Sequence, residues 1–224
     1  MTTSPMTTSP MTVAELWRYP VKTLAGERLD RAELTANGVL GDRLVHVRGP
    51  EGVRTSRRHH RLLGLHATLG DDQSPLVDGL PWASPEVLAR VRGAAGDDAF
   101  LAAYDGPERF DVLPLLVATD GAVSAFGRDV RRLRPNIVIA GVEAMGETEW
   151  PGRELHIGEV IIGIDSRRGR CPMTTVDPDT LDVDREVLKD IIRRFDGKLA
   201  LNAEVLRGGT IRIGDVATLV PASY

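Results

Sequence analysis

The sequence contains one cysteine, no long apolar run and no excess of positive charge, and each of these features excludes a class of protein. Cys171 is the only cysteine in 224 residues, so the chain cannot form an intrachain disulfide. A single thiol also cannot supply the several thiolates of an iron–sulfur cluster or a structural zinc site. No apolar run is long enough to cross a bilayer, and the net charge of −4 gives no general reason to expect nucleic-acid binding. Because a lone cysteine fits a reducing compartment, we expect a cytoplasmic protein that binds neither a membrane nor a nucleic acid.

The N-terminus is a five-residue unit written twice, MTTSPMTTSP, without the basic start and apolar stretch of a signal peptide. We expect a disordered tail over residues 1–12 and a fold that begins near Val13. The remaining length suits one large domain or two small domains folded together.

Short apolar segments separated by turn residues dominate the pattern. They predict a mainly β, α+β fold in which a few short helices accompany a β-barrel. Predicted strands, or pairs of strands, cover residues 13–21, 29–34, 44–47, 62–69, 113–118, 137–139, 155–164 and, as a hairpin, 210–220. Predicted helices cover residues 84–91, 119–127 and 185–195. The last is the clearest, because its apolar residues share one face: Val187, Leu188, Ile191, Ile192 and Phe195.

Cys171 precedes a proline, which favours extended backbone and places the thiol in a loop after the strand predicted over 160–164. Arg167, Arg168 and Arg170 lie just before it, and nearby positive charge favours a thiolate and attracts anions. The thiol is therefore a candidate nucleophile, or a soft ligand to a metal whose other ligands come from a cofactor. The alternative is a small buried hydrophobic residue, the usual role of a free cysteine.

A second group of polar residues stands at the ends of predicted strands: Lys22, Thr23, Arg43, Arg57, Arg134 and Asn136. Each residue alone is typical of a solvated surface. Together they predict a pocket for a phosphorylated anion, because guanidinium groups bind phosphate at two points and lysine acts as a point charge.

The acidic run after Cys171 predicts a turn in which the Asp177 side chain accepts from backbone donors. A calcium-binding EF-hand loop is excluded, because Leu181, Asp182 and Leu188 stand where that loop needs an oxygen ligand, glycine and glutamate.

Several segments carry a resemblance to a known family: YPVKTLAGE at 19–27, NGVLGDR at 37–43, RTSRRHHRL at 54–62, RLRPNIVI at 132–139, RCPMTTVDPDT at 170–180 and LRGGTIRIGD at 206–215. With them the chain resembles the MOSC family, the domain type at the C-terminus of molybdenum cofactor sulfurases, together with its associated N-terminal β-barrel domain. The likeness extends to the mitochondrial amidoxime-reducing component and its bacterial relatives. It covers nearly the whole chain after the N-terminal tail.

The resemblance implies a MOSC β-barrel over residues 111–224 and an N-terminal β-barrel-like domain over 13–110, with a molybdenum cofactor (Mo-molybdopterin) between them. It implies that Cys171 ligates molybdenum. Residues implied to contact the cofactor are Lys22, Thr23, Arg43, Arg134, Asn136 and, more loosely, Arg57. Related sequences often have serine at the positions of Thr23 and Gly169, so a hydroxyl is kept at the first and a side-chain hydrogen bond is lost at the second. The membrane anchor of the mitochondrial proteins is not found, which suits a soluble bacterial relative.

The resemblance further implies an oxidoreductase that removes an oxygen atom from an N-hydroxylated compound at molybdenum, giving an amine and water. The chain has one cysteine and no dinucleotide-binding fingerprint, so we expect electrons from a separate donor protein or reductase. The alternative is a cofactor-binding or sulfur-carrier module that holds a persulfide on Cys171. A third possibility is a family member with neither activity.

Overall fold

The structure, a computed structural model, describes residues 10–222. Residues 1–9 of the predicted tail lie outside the described residues, and Thr12 already belongs to the first strand. Within the described range the strands are β1 (Thr12–Arg18), β2 (Val21–Lys22), β3 (Glu27–Leu29), β4 (Arg31–Thr35), β5 (Gly38–Val39), β6 (Val45–Gly49), β7 (Gly52–Val53), β8 (Ala67–Leu69), β9 (Pro75–Val77), β10 (Leu80–Pro81), β11 (Phe100–Ala103), β12 (Leu115–Thr119), β13 (Ile137–Ala140), β14 (Arg153–Ile157), β15 (Val160–Gly169), β16 (Lys198–Arg207), β17 (Gly209–Arg212) and β18 (Ala217–Pro221).

The helices are short and lie between the strands. The α-helices are α1 (Pro85–Ala95), α2 (Asp120–Phe126) and α3 (Glu186–Phe195). Single turns of 3-10 helix cover His60–Gly64, Pro107–Arg109, Val130–Arg132, Gly146–Glu149 and Pro172–Thr175. Strands outnumber helices throughout residues 10–222, which confirms the predicted mainly β class.

The largest sheet contains eight strands in the order β18-β14-β15-β16-β12-β13-β1-β3. Its neighbours are antiparallel except β12 and β13, whose parallel pairing is connected through α2. Smaller sheets are β10-β9-β8, β11-β6-β2 with β7 on β6, and β17-β4-β5. Strands from both ends of the chain therefore share one sheet, and this brings residues near 20 close to residues near 135.

The large sheet is not closed into a full barrel. Within residues 10–222 its two sides meet at an isolated bridge between Thr12 and Val216, where the Ala217 amide donates to the Met11 carbonyl and the Val13 amide to the Asp215 carbonyl. The strand ladder itself stays open at β3 and β18.

Three apolar clusters hold the elements together. The largest fills the inner face of the eight-stranded sheet and includes Leu16, Ile137 and Leu155, which have no exposed surface. A second packs α1 against β6, and a third packs α2 against α3. Burial of each such side chain stabilises the fold by about 1.5–3 kcal/mol, so these clusters fix the loops between them.

The capping residues read from the sequence hold their predicted places in α1 and α2. The Ser84 hydroxyl accepts from the Val87 amide at 3.2 Å, and the Thr119 hydroxyl accepts from the Ala122 amide at 3.1 Å. Helix α2 ends at Phe126 and is capped by Gly127, whose φ of 67° is left-handed. These helices are confirmed, although α1 runs four residues past the predicted end at Val91, to Ala95.

Two predicted elements are wrong. The strand predicted over residues 62–69 begins as the 3-10 helix His60–Gly64, and only β8 is extended. The hairpin predicted over residues 210–220 does not form, because β17 pairs with β4 and β18 pairs with β14. Among the described residues, no helix has the length and apolar character required to cross a membrane.

Candidate functional site

A pocket lies where several sequence-distant segments meet, and Cys171 is part of its wall. Its charged lining residues are Lys22, Arg43, Arg57, Arg134, Arg168, Arg170 and Asp111. Six cationic side chains and one carboxylate thus line the same cavity. An excess of positive charge in a concave site concentrates anions, so the pocket is suited to a ligand with several negative charges.

Cys171 stands at the start of the 3-10 helix Pro172–Thr175, two residues past the end of β15. Its backbone is extended, with φ −132° and ψ 173°, as expected before a proline. The Cys171 carbonyl accepts from the Thr174 amide at 3.1 Å and from the Thr174 hydroxyl at 2.9 Å. These bonds fix the backbone and leave the half-buried thiol facing the pocket.

The turn that follows Cys171 is fixed by side chains as well. The Asp177 carboxylate accepts from the amides of Asp179 and Thr180, each at 3.0 Å, which confirms the predicted turn. Arg132 bonds Asp177 at 2.8 Å and Arg131 bonds Asp179 at 2.8 Å. The segment carrying the thiol is therefore attached to the 3-10 helix Val130–Arg132.

Asp111 balances part of the positive charge beside the thiol. Its carboxylate lies 3.2 Å from Lys22 Nζ, 3.0 Å from Arg57 Nη2 and 3.2 Å from Arg168 Nη2. Burial raises the pKa of the Asp111 carboxyl, but Lys22 and Arg57 outweigh that effect and hold the pKa at about 2. Burial lowers the pKa of the Lys22 ammonium.

Arg57 belongs to both the charge cluster and the wall that carries the thiol. Its Nη2 donates to the Asp111 carboxylate at 3.0 Å, and its side chain lines the same pocket as Cys171. Burial opposes the charge on Arg57, yet the negative charges of Asp111 and Cys171 raise the pKa of the guanidinium. Arg57 therefore joins the Asp111 carboxylate to the part of the wall that carries the thiol.

The arginines before Cys171 divide between the two faces of β15. Arg168 faces the pocket and donates to the Asn202 side chain at 3.2 Å, whereas Arg167 points away and donates to two backbone carbonyls. Arg170 follows the strand and donates to the Leu133 carbonyl at 2.7 Å, but its Nε is buried without an acceptor. Burial lowers the pKa of Arg170 to about 10.

Three residues of the predicted site have left-handed backbone, which costs residues with a side chain about 1–3 kcal/mol each. They are Thr23 with φ 80°, Arg43 with φ 53° and Arg134 with φ 58°, and all three line the pocket. Such strain is typical of positions where the direction of a side chain matters more than local stability.

Tyr19 is the platform on which two of these side chains rest. The Arg134 guanidinium lies 4.2 Å from the ring centroid and that of Arg43 lies 5.5 Å from it. The phenol donates to the Pro135 carbonyl at 3.0 Å, and burial raises its pKa. The ring therefore orients two cations without neutralising them.

Asn136 does not line the pocket. Its carbonyl oxygen accepts from the Leu116 amide at 3.1 Å, and its amide nitrogen donates to Trp17 O and to Asp42 Oδ2, each at 3.3 Å. Asp42 is fully buried, accepts from the Tyr19 amide at 2.6 Å and pairs with Arg43. Asn136 and Asp42 thus hold the platform and its arginines from behind.

Thr23 lines the pocket, but its hydroxyl is already committed to the protein. It donates to the Ser56 hydroxyl at 3.0 Å and accepts from the Ser56 amide. That pair fixes the loop that carries Arg57. Gly169, where related sequences often have serine, also lines the pocket. A Cβ atom added to Gly169 would have no other atom within 4 Å, so the pocket wall has space for a side chain there.

Asp111 and Asp42 were not identified from the sequence as site residues. Asp111 lies in an irregular segment with no motif around it, and only its three cationic contacts show its importance. Asp42 lies within the GDR segment at 41–43, where its buried position beside Arg43 gives the reason for the motif.

The residues present fit a phosphorylated metal cofactor better than a metal ion alone. No group of three or more His, Cys, Asp and Glu residues within residues 10–222 could hold a metal ion. Cys171 offers one soft ligand, so the remaining ligands of a metal must come from a bound molecule. The unpartnered Arg170 Nε and the excess of cations offer donors that phosphate oxygens accept.

Comparison with known proteins identifies both parts of the chain. The MOSC domain matches residues 121–218, and the MOSC N-terminal beta barrel domain matches residues 10–81. Mitochondrial amidoxime-reducing component 1 from Homo sapiens is 30% identical over 280 aligned positions, covering 93% of this chain and 82% of the relative. The Mus musculus component 1 is 28% identical with the same coverage. Mitochondrial amidoxime reducing component 2 from Homo sapiens is 27% identical and covers 82% and 72%.

Among solved structures, the YUAD protein from Bacillus subtilis has a TM-score of 0.52 at 13% identity and covers 95% of this chain and 97% of that one. This likeness supports the fold. From the matched domains and relatives together, the chain belongs to the MOSC family, in the group that contains the mitochondrial amidoxime-reducing components.

Proposed function

We propose that this protein is a molybdenum-cofactor-dependent oxidoreductase that reduces N-hydroxylated compounds, with Cys171 as the protein ligand of molybdenum. The observation that carries the proposal is the position of the only thiol in the chain, on the wall of a pocket with six cationic side chains. The relatives named as amidoxime-reducing components support the same reaction class.

Each predicted residue has a role that its contacts support. Lys22, Arg43 and Arg134 supply charge for the cofactor phosphate, with Arg170 as a further donor. Arg57 lines the same pocket wall as Cys171 and supplies a further positive charge there. A bound molybdenum cofactor would supply the two-electron chemistry, and the protein orients it and excludes competing reactions.

Two residues of the predicted set act through others. Asn136 positions Asp42 and the strand carrying Trp17, and Thr23 positions the Arg57 loop through Ser56. Because the chain has one cysteine, electrons come from a separate donor protein. In this proposal the chain holds the cofactor and the substrate, and the electron donor is a second molecule.

The test begins with protein from a host that makes the molybdenum cofactor. We expect about one molybdenum per chain, as one-thiolate ligation requires, and reduction of an amidoxime with a chemical reductant. Cys171→Ser abolishes reduction without unfolding the protein. Arg134→Gln lowers the molybdenum content, whereas Arg128→Gln, which removes an exposed arginine outside the pocket, leaves it unchanged.

The competing function is sulfur transfer from a persulfide on Cys171. Mass spectrometry of the tryptic peptide separates the two, since a persulfide adds the mass of one sulfur atom. Persulfide on Cys171 together with absence of molybdenum would overturn the oxidoreductase proposal. Absence of both would indicate a protein with neither activity.

A further inference from the structure

A second cavity adjoins the pocket of Cys171. It lies between the 3-10 helix His60–Gly64 and the segment that follows the thiol. Arg134 and Met173 line both cavities. Met173 is only two residues from Cys171, so the wall that the two cavities share lies close to the thiol along the chain.

The walls of the second cavity are apolar and partly aromatic. Trp17 and Tyr19 line one part, and Leu63, Val176 and Pro178 line another. A flat, apolar ligand contacts such walls favourably, because ring stacking adds to the burial of surface.

The two cavities differ in charge. Arg131, on the rim of the second cavity, is bound by Asp179 at 2.8 Å, and Arg132 is bound by Asp177 at 2.8 Å. The Arg134 guanidinium has no carboxylate or carbonyl acceptor among the described residues, but it also faces the cationic pocket. The second cavity is therefore nearly balanced in charge and suits a neutral molecule, while the first suits an anion.

We infer that the second cavity binds the apolar, aromatic body of a neutral N-hydroxylated substrate whose reacting group lies beside Cys171. This inference rests on the proposed function and adds the substrate class: aryl compounds are preferred to small alkyl ones. The flexible Met173 side chain forms the boundary that the substrate crosses.

The test compares benzamidoxime with acetamidoxime on oxidised holoprotein without an electron donor, so that the compounds bind but do not react. Calorimetry gives both dissociation constants. Burial of the phenyl ring predicts that wild type binds benzamidoxime at least about tenfold more tightly.

Ala25→Leu places three further carbons at the wall of the second cavity, and Ala25 does not line the pocket of Cys171 within the described chain. This variant reduces the preference for benzamidoxime about tenfold. Ala103→Leu makes the same change at an exposed position of β11 and keeps the wild-type preference. Leu63→Ala removes part of the apolar wall instead of filling the cavity, and it also lowers the preference for benzamidoxime. It carries the test if Ala25→Leu fails to fold.

Equal affinity of wild type for both compounds, or an unchanged preference in both cavity variants, would overturn the inference. Loss of molybdenum from a folded Ala25→Leu protein would overturn it too, because the cavity would then hold part of the cofactor. Failure of the proposed function looks different: wild type holds no molybdenum and reduces neither compound.

Discussion

Gly26 determines how closely a backbone can approach the Tyr19 ring that supports Arg134. A Cβ atom added to Gly26 would lie 2.2 Å from the Arg18 carbonyl oxygen and 2.4 Å from the Tyr19 ring. Both distances are far inside van der Waals contact, and the first involves backbone that cannot move alone. The glycine in the segment YPVKTLAGE is thus required by packing around the platform.

We predict that Gly26→Ala destabilises the protein by about 1–3 kcal/mol, the usual cost of overpacking. Gly93→Ala is the matched control, because Gly93 lies in α1 with nothing within 4 Å of the new methyl group. That control stabilises the protein by about 0.5–1 kcal/mol through helix propensity. Urea unfolding measures both, and equal effects of the two substitutions would contradict the packing explanation.

Asp111 gives a pH dependence that can be measured in protein from a host that does not make the cofactor. Its pKa is lowered from 3.8 to about 2 by Lys22 and Arg57, against the effect of burial. A lowered carboxyl pKa stabilises the fold above pH 3.8, and this contribution is lost as the pH falls through about 2. It amounts to roughly 2 kcal/mol for a shift of this size.

Asp111→Asn is therefore expected to be less stable than wild type at pH 5 and to approach it near pH 2. Denaturant unfolding at several pH values checks this, with Asp97→Asn at an exposed position as the control. A constant difference between wild type and Asp111→Asn over that range would show that the carboxylate does not interact with its three cations.

Sequence reasoning at the residue scale found the cations and the thiol but not the groups that orient them. Cys171, Lys22 and Arg57 stand in recognisable segments, so the sequence predicts their proximity. Asp111 carries no local signal, and Asp42 stands in the GDR segment without an indication of its role, since a single aspartate in a turn usually bonds its own backbone. The bond of Asp42 to the Tyr19 amide and that of Asp111 to Arg57 each span more than 20 residues of sequence.

Glu147 connects elements rather than neighbouring residues. It is buried, accepts from the Thr119 hydroxyl at 2.7 Å at the start of α2, and accepts from the Ala200 amide at 3.0 Å in β16. Ala200 has a left-handed φ of 65°, so the carboxylate bonds the point where β16 is irregular. Burial raises the pKa of the Glu147 carboxyl.

A raised carboxyl pKa means that wild type loses stability as the pH rises above 4.5, the value for the unfolded chain, through the folded pKa. Glu147→Gln keeps an oxygen acceptor and removes the buried charge. We predict that this variant gains stability relative to wild type between pH 4 and pH 8. Glu149→Gln, exposed in the same 3-10 helix, should show the wild-type dependence of the unfolding free energy on pH, measured by denaturant unfolding. A difference in unfolding free energy between wild type and Glu147→Gln that stays constant from pH 4 to pH 8 would refute the prediction.

At the element scale, local sequence signals were sufficient for the helices, whose formation depends on residues close together in the chain. Hydroxyl caps at Ser84 and Thr119 and the apolar face of α3 indicated the helices. They failed for residues 210–220, because β17 and β18 pair with distant strands rather than with each other. A turn between two extended segments cannot distinguish these cases, since register depends on partners elsewhere in the chain.

The whole molecule brings together residues that the sequence separates by more than 100 positions. Strand β1 pairs with β13, which places Tyr19 beside Pro135 and the loop of Arg134. The predicted division at residue 110 crosses this shared sheet, so the two-domain boundary stays a prediction. Only the family resemblance, together with the cationic residue types, indicated this convergence from the sequence.

The exposed apolar residues of α3 are a further feature at this scale. The sequence placed Ile192 on the helix face with Val187, yet it is 58% exposed while Val187 is buried. The apolar face of α3 is therefore wider than the part of it that packs against the core, and Ile192 lies in the exposed part.

Molybdenum X-ray absorption on holoprotein counts the sulfur atoms around the metal, and so examines the proposed bond to Cys171 itself. If Cys171 is the protein ligand, wild type has one more sulfur neighbour than Cys171→Ser at equal molybdenum content. An identical sulfur count in the two proteins would show that the thiol does not bind the metal, and the proposed site would then be wrong.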